Sequence, residues 1–150
     1  MPLSTKQVET LLTPAEIPVK SPGGIYNFTH PLTSLATGLS TAAIDLLTNI
    51  TLGHRFKLLG FTFVTTVAGT GTSASQVFNL AISGVATTGG VLTLLLANTD
   101  TIGKDTAATA FTALNEGSAT DTLSIKMAAS GTVFTAGAGY FIIEVQNLDG

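Results

Sequence analysis

The chain of 150 residues contains no cysteine, no tryptophan and only 10% charged residues. Without cysteine it has no disulfide framework, no thiol nucleophile and no cysteine-ligated zinc, and its compartment is left open because redox conditions do not affect it. Six Lys and Arg stand against nine Asp and Glu, a net charge of -3. Each neutralised phosphate needs a basic side chain, so a nucleic-acid partner is not expected. Proline is absent after Pro31, all five residues of that type falling at Pro2, Pro14, Pro18, Pro22 and Pro31. Long hydrophobic runs are missing too. Leu58 to Thr99 carries no charge, but AGTGTSAS, SG and TTGG cut it into pieces far short of the ~18 apolar residues of a spanning helix. A membrane partner is therefore not expected. The opening MPLSTKQVETLLTPAEIPVK lacks an apolar core behind a basic end, so export through a leader is not expected either.

Threonine and glycine fill the space that charge leaves. There are 26 Thr and 16 Gly. Thr is β-branched and suits a pleated surface, while Gly supplies turns, so this composition favours strands over helices. A Thr-rich surface poor in charge also suits contact with other protein.

The cluster of prolines marks a boundary. Proline removes a ladder donor and holds its predecessor extended, so residues 1–23 read as an N-terminal arm, irregular from Thr13 to Pro22, with a short helix before it. Leu11, Leu12, Ile17 and Val19 are apolar residues with little to bury them inside the arm, and they are its candidate contacts: either the arm folds back onto its own domain or it lies on a neighbour.

Residues 24–150 read as one domain of strand-length segments between turns. Ile25 to His30 and Ile44 to Leu52 are candidate strands. His54 to Val67 is the strongest, and its apolar face changes near Gly60, which predicts a bulge there. GTGTSAS reads as a flexible loop. Gln76 to Ser83 alternates, with Phe78, Leu80 and Ile82 inward, whereas Val91 to Ala97 is nearly all apolar and reads as buried on both faces. Ala107 to Glu116 is a strand or short helix. Thr122 to Ala128 alternates, with Leu123, Ile125 and Met127 on one face. SGTVFTAGAG reads as a Gly-rich turn before a last strand, Tyr140 to Gln146. Seven or eight such strands predict an all-β fold, an antiparallel two-sheet β-sandwich of jelly-roll type carrying an extended N-terminal arm.

Chemistry is sparse. His30 precedes Pro31 on an expected loop and His54 opens a charged strand end; neither has metal-ligand spacing such as HExxH, so both read as exposed or capping residues. Asn98, Asp100, Lys104 and Asp105 make NTDTIGKDT the most polar loop, an exposed contact candidate. Lys104 opposes a cation there, and Gly103-Lys104-Asp105 is no phosphate loop. No GxSxG elbow occurs. Neither catalytic residues nor a cofactor nor a metal are expected, and an enzyme is not expected.

The proline-marked arm, the Thr/Gly/Ala-rich β domain and the ending GTVFTAGAGYFIIEVQNLD resemble small virion structural proteins of tailed bacteriophages, of the capsid decoration (cement) and head-fibre types. The resemblance implies a non-enzymatic homo-oligomer, a trimer in preference to a dimer, bound to the major capsid protein on the outer surface of the virion. The alternative is a phage fibre or receptor-binding module whose loops 69–75 and 98–106 touch host surface glycans.

Overall fold

The computed structural model describes residues 23–37, 44–128 and 132–149. The arm contacts expected at Leu11, Leu12, Ile17 and Val19 lie outside the described residues, as does the expected short helix.

Among the described residues twelve strands follow one another: β1 (Ile25–Leu32), β2 (Ile44–Thr51), β3 (Phe56–Gly71), β4 (Ser75–Ile82), β5 (Val85–Ala86), β6 (Thr88–Gly89), β7 (Leu92–Leu95), β8 (Asp105–Ala107), β9 (Phe111–Ala113), β10 (Glu116–Gly117), β11 (Thr122–Met127) and β12 (Phe134–Asn147). A 3-10 turn, Leu35–Thr37, follows β1, and a single helical turn, α1 (Leu96–Thr99), follows β7. One sheet runs β1-β12-β3-β10 with β8 also on β3; the other runs β2-β11-β4-β5 with β7 also on β4. Every pairing is antiparallel.

The pairing is nested. β1 takes β12, β2 takes β11, β3 takes β8 and β10, and β4 takes β5 and β7, with successive pairs placed in alternate sheets. That is a long hairpin wrapped around a barrel axis, the jelly-roll arrangement of a β-sandwich. Short β6 and β9 form a third, two-stranded sheet beside it.

Inward side chains of the two sheets meet in one core. β3 gives Phe56, Leu58, Phe61 and Phe63, β12 gives Phe134, Phe141, Ile143 and Val145, and the opposite sheet gives Phe78, Leu80, Leu123 and Ile125. The switch of apolar face on β3 is the predicted bulge. Glu144 pairs with Gly60 and Val145 with Leu58, so Leu59 is skipped and its neighbours change sides.

Four expectations need correction. β3 continues through Gly71, leaving Thr72 to Ala74 as the only loop where a flexible seven-residue segment was expected. The stretch FTAGAG is not a turn but the first part of β12, paired irregularly with Val67 to Gly71. Small residues serve close approach there: a Cβ on Gly137 would lie 2.7 Å from Leu35 Cδ1 and 2.9 Å from Gly69 Cα. Val91 to Ala97 is buried on one face only. Leu92 and Leu94 point into the core, while Val91, Thr93 and Leu95 face solvent, because β7 has just one sheet beneath it. Ala107 to Glu116 is neither one strand nor a helix but parts of three short strands.

Candidate functional site

Tyr26 and His54 come together although 28 residues separate them. The Tyr26 hydroxyl lies 2.7 Å from His54 Nε2, and His54 Nδ1 lies 2.8 Å from the Arg55 carbonyl oxygen. A carbonyl only accepts, so Nδ1 carries the proton and Nε2 accepts from Tyr26. His54 is thus a buried fastener, not the exposed or capping residue expected, and it holds β1 against the turn before β3. The signal missed is Tyr26 itself, an inward polar residue on β1 that needs a partner, but no local spacing names that partner. His30 is half-buried on β1. Among the described residues no group of three or more His, Asp and Glu is placed to hold a metal.

Burial pushes the Tyr26 hydroxyl up to about 12 from its ordinary 10.0. The folded state therefore keeps a proton that the unfolded state releases above pH 10, and stability falls as pH rises from 10 to about 12. Tyr26→Phe strands His54 Nε2 and is expected to cost about 1–2 kcal/mol at pH 8. The gap between the two proteins should narrow toward pH 12 in urea unfolding series, and a gap that widens would contradict the burial argument.

The polar loop lies elsewhere. α1 opens with the Leu95 N–H donating to Asn98 Oδ1 at 2.6 Å, and the Thr99 hydroxyl returns to the Leu95 carbonyl at 3.1 Å. Lys104 folds back so that its ammonium donates to the Ala97 carbonyl and, at 3.1 Å, to Asp100 Oδ1. The Lys104 and Thr101 donors hold the Asp100 carboxyl below the usual carboxylate range. Of the four residues expected to be exposed, Asp100 and Asp105 are; Asn98 and Lys104 are half-buried because both tie down this turn. Asp105 is also not in a loop, since it begins β8 opposite Val64.

This turn walls a groove of about 780 Å³. One side is Gly69, Thr70, Gly71, Ser73 and Ala74 from the β3–β4 connection, and the other is Leu95, Leu96, Ala97 and Asp100. Of the two loops that the sequence marks separately, 69–75 thus supplies one wall, and 98–106 contributes Asp100 alone to the other. Gly69 makes this possible: a Cβ there would sit 2.5 Å from Thr99 Oγ1 and 3.1 Å from the Phe134 ring, so only glycine lets the hairpin lie against α1. The lining is mostly apolar, and Leu95 is 47% exposed at its rim.

A second surface is broader. On the outer face of the β1-β12-β3 sheet, Thr29, Ile142, Thr62 and Ala107 stand in one register row and Pro31, Tyr140, Val64 and Asp105 in another. Asp105 is the one charge in these two rows. The adjoining row holds Asn27, Glu144 and Gly60, and at the far end of the sheet Lys57 pairs with Glu116 at 2.9 Å.

No protein-family model matches the chain, and no curated protein sequence matches it. Among solved structures it is similar to dimeric latent PorU from Porphyromonas gingivalis, with 12% identity and a TM-score of 0.41 over 85% of this chain. It is also similar to the structure of the infectious bursal disease virus Gx strain, a virus, with 14% identity and a TM-score of 0.34 over 82% of this chain. The chain spans 13% of the first and 32% of the second. Among the described residues no helix is long and apolar enough to cross a membrane.

Proposed function

We propose that this chain is a non-enzymatic virion structural protein that binds the outer capsid surface as a homo-oligomer, a trimer in preference to a dimer, and cements or decorates neighbouring major capsid subunits. The observation that carries this reading is the outer face of the β1-β12-β3 sheet. Two neighbouring rows across four strands present Thr29, Ile142, Thr62, Ala107, Pro31, Tyr140 and Val64 with one charge, Asp105, at their edge, and Glu144 follows in the next row. A contact surface depleted of charge at its centre is the composition found in protein interfaces. The resemblance of the arm and the C-terminal segment to phage decoration proteins supplies the partner.

Cementing then follows from linkage. A protein that binds the assembled shell and not its separated subunits shifts the equilibrium toward the shell. Three copies of one weak contact multiply that effect.

Deleting residues 2–22 is expected to abolish co-sedimentation with capsid shells while the domain keeps its circular dichroism spectrum and melting temperature. Undiminished occupancy by the folded, truncated protein would defeat the anchoring role of the arm.

The second reading is a fibre or receptor-binding module whose loops 69–75 and 98–106 touch host surface glycans, favoured by the groove that residues 69–74 form with Leu95 to Ala97 and Asp100. Its test is a glycan array. Binding that Asp100→Ala removes would support it.

A further inference from the structure

We infer that the groove between the β3–β4 connection and α1 receives the segment Ile17 to Lys20 of a neighbouring copy of this chain, linking copies arm to groove. The inference rests on the homo-oligomeric part of the proposed function.

The first argument is chemical fit. Ala74, Leu95, Leu96 and Ala97 line the groove with apolar surface, and among the described residues that line it there is no aromatic ring to stack on a sugar. Asp100 is the one charged residue of the lining, and Lys104 already pairs with it at 3.1 Å. Ile17 and Val19 supply aliphatic side chains for such a surface. Pro18 between them has no N–H to leave unsatisfied in an apolar site.

The second argument is reach. The Asn147 N–H donates to the Gly24 carbonyl, and Asn147 pairs with Phe56, so the chain enters the domain at the Phe56 end of β3. The groove lies at the other end, beside Gly69 and Gly71. Thirteen residues of strand separate Phe56 from Gly69, about 40 Å at the usual rise. Val19 and Ile17 are four and six residues from Gly23, which a fully extended chain turns into roughly 14 and 21 Å. They fall short of the groove of their own molecule. A neighbour's groove has no such limit. Gly23 leaves the domain in open space, with nothing within 4 Å of where its Cβ would stand.

Exit point and groove are different patches at opposite ends of the molecule, so the contact is heterologous, and it closes into a ring when the rotation per copy allows. Leu11 and Leu12, further along the arm, stay available to the capsid.

The absence of cysteine gives a clean test. Full-length V19C and L95C chains are mixed under mild oxidation without capsid, and the product is read on a non-reducing gel. A mixed covalent dimer, several-fold above either variant alone, is expected, and V19C/L95C in one chain should give closed oligomers or a ladder. Ile17→Asp, which would bring a charge to the apolar lining, should lower the yield several-fold. A cross-link within one chain overturns the inference, as does no cross-link at either L95C or A97C when both variants melt like the parent. Release of the cross-linking partner by a glycan would overturn it in favour of a sugar site. Because no shell is present, cross-linking that succeeds beside failed capsid binding rejects the virion role alone, and the reverse rejects the arm-to-groove contact alone.

Discussion

Phe141→Ala is expected to lower the unfolding free energy by about 4 kcal/mol, the upper part of the range for a fully buried phenylalanine. Phe141 is fully buried and touches three other rings. It stacks on Phe61 at 5.3 Å between centroids and meets Phe63 edge-on at 5.2 Å, both on the adjacent strand of its own sheet. It also meets Phe78 of the opposite sheet at 5.0 Å. Truncation thus removes the contact that joins the two layers and leaves a void that jelly-roll strands, pinned by nested pairing, close poorly. For a domain of this size the midpoint should drop by roughly 10–15 °C. Urea unfolding of Phe141→Ala and Phe141→Leu separates the cavity from the ring contacts. A loss below about 1 kcal/mol for the alanine variant would mean that this cluster is not the centre of the core.

Gly139→Ala should be almost as damaging, about 3 kcal/mol for one added methyl group, because the space is filled by atoms that cannot move aside. A Cβ at Gly139 would lie 2.2 Å from the Val64 carbonyl oxygen and 2.3 Å from Phe63 Cζ. The carbonyl belongs to the β3 ladder, so giving way means breaking the register in which Gly139 opposes Thr65 and Tyr140 opposes Val64. Ala136→Val is the control. Its side chain is exposed on the same strand and should change stability by less than about 0.5 kcal/mol. Equal melting temperatures for Gly139→Ala and the parent protein would show that the two strands separate more easily than the packing implies.

Much of the fold was legible where the pattern is local. The alternation of Phe78, Leu80 and Ile82 and of Leu123, Ile125 and Met127 placed two strands and their inner faces, and the face switch near Gly60 placed a bulge. Reading failed where local chemistry and distant packing demand the same residue type. Glycine and alanine in TAGAG look like a turn, yet they are small because β3 presses on them within a strand. A nearly all-apolar run from Val91 looks buried on both sides, but β7 alternates and its outward Leu95 borders the groove. The candidate site was half legible. Both loops were marked by their composition, whereas their meeting depends on a glycine, Gly69, that lies under Thr99 thirty residues further on.

The sequence by itself determined the class: strand-forming periodicity, turns of glycine, prolines confined to the first 31 residues, and many threonines with little charge. These are properties of a residue and its near neighbours, since the two-residue period of a strand and the fixed angle of proline act over a few bonds. Only the tertiary structure decided which strand lies beside which, that His54 is held by Tyr26, and that the end of β3 forms one groove with Leu95 to Ala97 and Asp100. The reason is that burial is shared. Which apolar faces meet depends on closing both sheets at once around one core, and no window of the chain contains the strands on both sides of that core.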